Sequence, residues 1–316
     1  MMIDVPQAVQ LLLENDHILI LAHDHPDGDT LGSGFALMRA LRALGKNAAV
    51  KCSDTIPATY AFMWEGLSEQ DFEPGFIVAV DIADTRLLGS EFEKLYADRI
   101  DLCIDHHGSN TRYAKNILLD NQAAAASEII YDLIAETGVA LDAVTADCLY
   151  TGISTDTGCF RYSNTTARSH FLAAKLIEAG ASTNEINRVF FETKTKTYAA
   201  LERLALENLE MFFGERCAVI TITQEMYRIS GSNDSEVDRI SALPRQIEGV
   251  LVGAAMREMK DGSFKVSVRT LAGVNAAELC GKMGGGGHSM AAGCHLPGPR
   301  DRALKEFLGH VADALK

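Results

Sequence analysis

The chain has 316 residues, is 47% hydrophobic and carries a formal net charge of −14 at pH 7. That length supports two domains, each with its own core, and the composition is that of a folded globular protein. The acidic balance excludes a protein that coats long nucleic acid by counterion release, but not one that holds a small phosphorylated substrate through a local basic patch and metal ions.

Met1-Met2-Ile3-Asp4 carries no basic stretch and does not read as a secretion signal. The spacing predicts a short helix over Pro6–Glu14 and a buried strand over His17–Ala22. A second helix is expected over Gly32–Leu44, where Phe35, Leu37, Met38, Leu41 and Leu44 recur at helical spacing up to Gly45. Strands follow at Ala48–Cys52, Phe76–Val80 and Ile100–Ile104, and helices at Ala123–Glu136, Ala143–Ile153 and Thr166–Ala179. The longest apolar runs, Ile18–Ala22 and Phe76–Val80, are far too short to span a membrane. Strands alternating with helices imply a parallel sheet covered on both faces, with ligands beyond the carboxyl ends of its strands. Thr183–Leu209 is more polar and reads as a helical connector. Beyond it, strands at Cys217–Ile222, Val250–Met256 and Phe264–Leu271 mix with helices at Ser235–Ile247, Asn275–Met283 and Arg300–Leu315. Asp261-Gly262 marks a hairpin turn. The expected fold class is α/β: a parallel-sheet domain with flanking helices over 1–185, a helical connector over 186–210, and a smaller α+β domain over 211–316. The seven cysteines are scattered and form no C-x-x-C, which suits reduced thiols in the cytoplasm.

Four acidic and histidine clusters lie in the first half: His23-Asp24-His25-Pro26-Asp27-Gly28-Asp29, then Asp81-Ile82-Ala83-Asp84, then Asp105-His106-His107, then Thr155-Asp156-Thr157-Gly158. Three of them directly follow a predicted strand. The first enters a loop turning at Pro26 and Gly28, where ligands two apart can reach two different ions. Taken alone, Asp29 can also be a cap of the following helix, Asp81 a solvated strand end and Asp156 a capping or turn residue. Together they are a set of oxygen and imidazole donors at strand and helix ends of one sheet, able to hold two divalent metals and activate a water for attack on phosphorus. Such donors suit Mn²⁺, and also Mg²⁺, Fe²⁺ or Co²⁺, better than Zn²⁺, because no thiolate is present. Adjacent residues on an extended backbone point opposite ways, so one of His106 and His107 is expected on a metal and the other toward the substrate. Later, Gly284-Gly285-Gly286-Gly287 before His288 reads as a loop whose backbone N–H groups can approach a phosphate, and Lys265, Ser267 and Arg269 alternate with Phe264, Val266 and Val268 on a strand with one basic face.

This combination resembles the DHH phosphoesterase family, named for the triplet at Asp105-His106-His107. The resemblance covers nearly the whole chain and extends to Gly284–His288 with Ala291-Ala292-Gly293, which resembles the signature of the DHH-associated C-terminal domain. It implies that His23, Asp27 and Asp81 hold one metal, and that Asp29, Asp81, His106 and Asp156 hold the other, with Asp81 bridging. It implies catalytic roles for Asp81, for His107 facing the substrate phosphate, and for Asp105 orienting a histidine. Asp84 and His25 are left as supporting residues. Substrate binding would fall to Arg269, Gly286, Gly287, His288 and Ser289, with Lys265 and Arg257 less central.

Within the family, His23 is present where long-chain exonucleases usually lack it, and no Ser-Arg-Lys-Lys-like motif of family II pyrophosphatases is found. What remains resembles the stand-alone oligoribonucleases that degrade very short RNA and dephosphorylate 3′-phosphoadenosine 5′-phosphate. The alternative is a phosphodiesterase of cyclic or linear dinucleotide messengers. A nucleotide-binding module without catalysis is disfavoured by the complete ligand set. The expected partners are short RNA or small nucleotides, not long nucleic acid or membrane, and a homodimer is compatible with the sequence.

Overall fold

Five short apolar segments pair side by side to build the first half of the protein. The computed structural model describes residues 1–233, 236–271 and 273–316, and the chain divides into two compact units, Met1–Thr193 and Lys194–Lys316. In the first unit, β1 (Ile18–Leu21), β2 (Ala48–Lys51), β3 (Phe76–Val80), β4 (Leu102–Asp105) and β5 (Asn116–Leu119) form an all-parallel sheet in the order β2-β1-β3-β4-β5. Its helices are α1 (Val5–Glu14), α2 (Gly28–Ala43), α3 (Gly89–Tyr96), α4 (Ala126–Thr137), α5 (Ala143–Asp156), α6 (Ala167–Glu178) and α7 (Thr183–Asn187). Ile18, Ile20, Val78 and Val80 pack against α2, α4 and α5 on one face, while Leu19, Leu21, Ile77 and Ala79 pack with Leu88 and Ile100 on the other. Burial on both faces is why these strands read as unbroken apolar runs. The strand order reverses between β1 and β3, and in open sheets of this order ligands bind beyond the carboxyl ends at that reversal.

Three differences from expectation bear on the site. α2 begins at Gly28 rather than Gly32, so Asp29 lies in its first turn instead of in a preceding loop. α5 continues past Ile153 to Asp156, which is therefore helical rather than part of a turn. β5 was not anticipated, because a four-residue strand flanked by polar residues carries too little pattern. α2 and α5 also meet closely. A methyl group on Gly32 would sit 3.1 Å from the Gly152 nitrogen and 3.3 Å from the Cys148 carbonyl carbon, with that carbonyl's oxygen nearer still.

The expected connector is not one helix. α7 and a π-helical turn at Arg188–Glu192 close the first unit, and α8 (Lys196–Glu207) opens the second. The second unit continues with β6 (Leu209–Phe212), β7 (Cys217–Ile222), α9 (Gln224–Ser230), α10 (Val237–Ile240), β8 (Val252–Glu258), β9 (Phe264–Thr270), α11 (Ala276–Gly281), β10 (Gly286–His288), β11 (Ala291–Leu296) and α12 (Arg300–Ala314). Among the described residues these strands form one mixed sheet in the order β10-β11-β9-β8-β7-β6, with β7 and β8 parallel and the rest antiparallel. Val252, Ala254, Val266, Val268 and Cys294 bury one face under α11 and α12, while Ile220 and Ile222 pack on α8 and α9. The helix expected over 235–247 is corrected to the single turn α10 and a 3₁₀ turn at Pro244–Gln246; Ser235 lies outside the described residues. Pro244 accounts for the break, since it removes a backbone donor and disfavours helix just before it. The hairpin at Asp261-Gly262 forms as expected, with Gly262 at φ +82° and Met259 N–H donating to the Ser263 carbonyl at 2.7 Å. Among the described residues, no helix is long and apolar enough to cross a membrane.

Candidate metal centre

The first three clusters gather where the strand order reverses. Thr30, in the first turn of α2, donates its hydroxyl to the Val80 carbonyl at 3.0 Å, which ties the start of the helix to the end of β3. Asp27 is the N-cap of α2 and accepts from the Asp29 and Thr30 amides at 3.0 and 3.1 Å on Oδ1. A capping role and a ligand role thus coexist in one carboxylate. His23 Nε2 lies 3.6 Å from Asp27 Oδ1 and 3.8 Å from Asp81 Oδ2. Its Nδ1 meets the Asp24 carbonyl at 2.6 Å. A carbonyl can only accept, so Nδ1 carries the proton and Nε2 presents its lone pair to the carboxylates.

Asp29 is fully buried and accepts from the Ala126 and Ser127 amides at 2.6 and 3.0 Å and from the Ser33 hydroxyl at 3.2 Å. Those amides open α4, whose N-cap, Ala125, has no side-chain acceptor of its own. Asp29 therefore supplies the charge that a helix N-terminus favours. Asp156 has the opposite relation to its helix. It ends α5, where the dipole disfavours a carboxylate, and needs a nearby cation to be comfortable when charged.

Asp81 is the centre of the cluster. It sits just past β3 at φ +61°, an uncommon backbone state for a non-glycine residue, and is 4% exposed. Its Oδ1 is buried without a hydrogen-bond partner. His106 Nε2 approaches Asp81 Oδ1 at 3.4 Å, Asp156 Oδ2 at 3.6 Å and Asp29 Oδ2 at 3.9 Å. The His106 Nδ1 donates to the Ala123 carbonyl at 3.2 Å, again freeing Nε2. Among the described residues three ligand groups emerge, His23 with Asp27 and Asp81, Asp29 with His106 and Asp156, and Asp81 with His106 and His107; in each, donor atoms lie within 4.8 Å of one another. Asp81 turns Oδ2 to the first and Oδ1 to His106 of the second.

His106 and His107 do not point in opposite directions. β4 ends at Asp105, so strand alternation no longer applies, and the two rings lie 4.4 Å apart beside Asp81. They differ in exposure and partner. His107 is more exposed and donates Nδ1–H to Asp105 Oδ1 at 2.8 Å, which leaves Nε2 as its free ring nitrogen. Asp105 is buried and also accepts from the Asn110 amide at 2.6 Å. His25 and Asp84 stand apart: His25 pairs with Asp54, and Asp84 caps the turn at Thr85–Leu88 and pairs with Arg86.

The electrostatics of the cluster favour binding of positive charge. Burial, then the neighbouring charges of Asp29 and Asp27, push the Asp81 carboxyl well above the usual range. Burial and the charge of Asp29 push Asp156 up to about 7, and burial raises Asp29. Burial opposes protonation of His23, but the hydrogen bond and charge of Asp27 hold its pKa up to about 9. The Asp105 hydrogen bond raises His107. Crowded carboxylates, an unpartnered buried oxygen and imidazoles with free Nε2 atoms are a donor set matched to two divalent cations. Sequence reasoning missed Thr30, Ser33, Asn110 and Ser127, which position these groups. Asn110 alone left a trace, as a polar residue close behind the Asp-His-His triplet.

The substrate residues expected later in the chain lie in the second unit. β9 alternates buried Phe264, Val266 and Val268 with half-buried Lys265, Ser267 and Arg269. The register sets His288, Ala291, Arg269 and Gly253 in one row across the sheet, on one face. The glycine run is corrected: it is not an open loop but leads into the edge strand β10. A side chain at Gly285 would strike Gly293 and Cys294, and one at Gly287 would come within 2.6 Å of the Ala291 oxygen, so contact with β11 explains both glycines. Gly286 faces open space, and Ser289 follows in the turn.

Residues 17–153 match the DHH family, N-terminal domain, and residues 221–316 match the DHHA1 domain. The chain is 34% identical over 304 residues to the bifunctional oligoribonuclease and PAP phosphatase NrnA of Thermus thermophilus, covering 94% of this chain and 90% of that one. It superposes on an exopolyphosphatase-related protein from Bacteroides fragilis with a TM-score of 0.87 at 23% identity, covering 98% and 95% of the two chains. RecJ from Thermus thermophilus in complex with Mn²⁺ gives a TM-score of 0.51 at 17% identity, covering 98% of this chain and 54% of that one. These two are likenesses of fold. With both domains matched in order and a relative similar from end to end, the chain belongs to the DHH family, its DHH domain followed by a DHHA1 domain.

Proposed function

We propose that this chain is a two-metal phosphoesterase of the cytoplasm that hydrolyses oligoribonucleotides of about two to five units to mononucleotides and 3′-phosphoadenosine 5′-phosphate to AMP. The observation that carries the reading is the division of the Asp81 carboxylate, Oδ2 toward His23 and Oδ1 toward His106, within two ligand groups. The substrate choice is supported by the activities named for the Thermus thermophilus relative. We assign His23, Asp27 and Asp81 to one ion and Asp29, Asp81, His106 and Asp156 to the other, with Mn²⁺ the best match and Mg²⁺, Co²⁺ or Fe²⁺ as substitutes.

When bound, the two ions would lower the pKa of a water and offset phosphate charge, the chemistry of in-line displacement at phosphorus. The chain's own groups prepare that step. Asp29 cannot swing, because both its oxygens are held by α4 amides. Thr30 and Asp27 fix the approach of α2 to the end of β3. His107, oriented by its Nδ1–H bond to Asp105, which also favours its protonated form, would turn Nε2 to a phosphate oxygen. Arg269, with His288 in its row and the backbone at Gly286, Gly287 and Ser289, would hold the nucleotide, and Lys265 would assist.

A hydrolysis panel in Mn²⁺ tests this, with linear dinucleotides, longer RNA, cyclic dinucleotides, 3′-phosphoadenosine 5′-phosphate and pyrophosphate as substrates. Cleavage of linear dinucleotides and 3′-phosphoadenosine 5′-phosphate, abolished by EDTA, is expected. Faster turnover of cyclic dinucleotides would favour a messenger phosphodiesterase, and no turnover of any substrate would leave a binding module.

A further inference from the structure

Asn164 lies eight residues beyond Asp156, and its side-chain amide joins two segments that meet at the metal cluster. Nδ2 donates to the Asp156 carbonyl at 3.1 Å and to the Ala124 carbonyl at 3.1 Å. Both partners are carbonyls, which only accept, so the orientation of the amide is fixed and both its hydrogens are used. The Asp156 carbonyl is among the last four of α5, which have no partner within the helix. Ala124 stands in the segment that leads into α4. Its neighbour Ala123 accepts from His106 Nδ1, and the Ala126 and Ser127 amides that follow hold Asp29. One side chain therefore joins the two backbone segments on which the Asp29, His106 and Asp156 group depends.

The chain between Asp156 and Asn164 is folded to make this reach. Gly158, Cys159 and Phe160 follow one another at φ +56°, +58° and +61°, a left-handed run in which only the first residue is glycine. Thr157 holds the run from inside. Its hydroxyl accepts from the Phe160 amide at 3.1 Å, and its carbonyl accepts from the Arg161 and Tyr162 amides at 2.9 and 3.0 Å. The Phe160 ring anchors the run, 5.1 Å from the His170 ring and 6.0 Å from that of Tyr150. Backbone strain of this kind persists only where surrounding contacts over-determine it, and it clusters at functional sites. Its effect here is to double the chain back so that Asn164 returns to the end of α5.

We propose that Asn164 is a positioning residue for the Asp29, His106 and Asp156 group, setting that group's affinity for its metal ion while leaving the His23, Asp27 and Asp81 group unaffected. Asp156 ends its helix where the dipole gives a carboxylate no support, so its placement depends on what holds the end of α5. Without the Asn164 amide, the Asp156 and Ala124 carbonyls lose their common donor and the three ligand atoms lose their fixed spacing. His23 and Asp27 are held by other bonds, to the Asp24 carbonyl and to the first amides of α2. The proposal rests on the two-metal reading above and adds to it a residue outside the four clusters that controls one of the two ions.

The test measures Mn²⁺ affinity by titration calorimetry in two backgrounds. His23→Ala keeps the Asp29, His106 and Asp156 group, and Asp156→Ala keeps the His23, Asp27 and Asp81 group. Adding Asn164→Ala to the first background should weaken binding by about tenfold, the lower end of the effect of residues that orient metal ligands, because Asn164 is itself exposed. Adding it to the second should change affinity by less than about twofold, as for independent sites. Asn164→Ser, which keeps one donor on a shorter arm, is run in parallel and should show the same selectivity at smaller size. With both groups intact, Asn164→Ala should lower kcat on a linear dinucleotide at limiting Mn²⁺, leave KM unchanged, and recover as Mn²⁺ is raised. Equal weakening in both backgrounds, or none in either, would overturn the role. An unsubstituted chain that binds fewer than two ions would overturn the two-metal reading itself, and this role with it.

Discussion

The contact between α2 and α5 offers the sharpest test of how the fold assembles the metal centre. Asp29 sits on α2 and Asp156 on α5, and the two helices approach through Gly32 and Gly152. A methyl at Gly32 would meet backbone rather than a yielding side chain, at 3.1 Å from the Gly152 nitrogen and 3.3 Å from the Cys148 carbon, with the Cys148 oxygen closer. Relief needs a separation of roughly 1 Å, since even weak C–H···O contacts rest near 3.3–3.6 Å. Overpacking of this kind costs about 1–3 kcal/mol, and alanine returns up to about 1 kcal/mol of helix propensity. The net loss of stability in Gly32→Ala is therefore at most about 3 kcal/mol. Activity should fall by about 100-fold, because a displacement of 1 Å in a reacting array has that effect. Gly34→Ala on the same helix is the control. Its methyl would meet Ile20 and Val50 side chains at 3.6 Å, an ordinary contact, so stability should hold or rise and activity should persist. Urea unfolding, Mn²⁺ titration calorimetry and dinucleotide hydrolysis on both variants read the three quantities. If Gly32→Ala binds metal and turns over like Gly34→Ala, the close approach of these helices does not set the site.

Asp81→Asn should lower turnover by several orders of magnitude and weaken metal binding, yet raise the melting temperature of metal-free protein by relieving a buried, unpartnered carboxylate; near-normal turnover with two ions bound would refute the bridging assignment. The metal-free protein should lose stability as pH rises. Carboxyls raised in the folded state, with Asp156 at about 7, bind protons the unfolded chain releases near 3.8, so their contribution fades between those values. His23, raised to about 9 from 6.5, adds a contribution that is full below 6.5 and lost as pH climbs through 9. Melting curves from pH 5 to 9 should therefore slope downward in EDTA and much less in Mn²⁺, and parallel slopes would count against the cluster. Arg269→Ala should raise KM for nucleotides by an amount equivalent to about 1.5–3 kcal/mol while metal content is unchanged; an equal fall on a small generic phosphodiester would show that Arg269 does not act in nucleotide binding. Cleavage per enzyme should drop steeply for RNAs beyond about five nucleotides, and equal or faster degradation of a long strand would favour a processive exonuclease.

Much of this protein could be read before its structure. Phe76–Val80 matches its strand end to end because a strand buried on both faces must be apolar throughout. The ligand clusters stood out because charged residues directly after such runs need solvent, a partner or a metal. The family's own motifs then named the chemistry. Tertiary structure alone decided how those residues meet. Nothing local tells that Asp29 belongs to the first turn of α2 while its carboxylate caps α4, since its partners Ala126 and Ser127 are distant in sequence. Gly32 and Gly152 look like ordinary helix glycines until α2 and α5 are laid together. The run Gly284–Gly287 was misread because glycines carry no side-chain alternation, and only pairing with β11 makes β10 a strand. His106 and His107 share one side because β4 stops at Asp105, an end set by its hydrogen-bond partners in β5 rather than by the histidines. Local periodicity and charge specify which groups are present; close approach between distant segments specifies the distances that let them hold a metal.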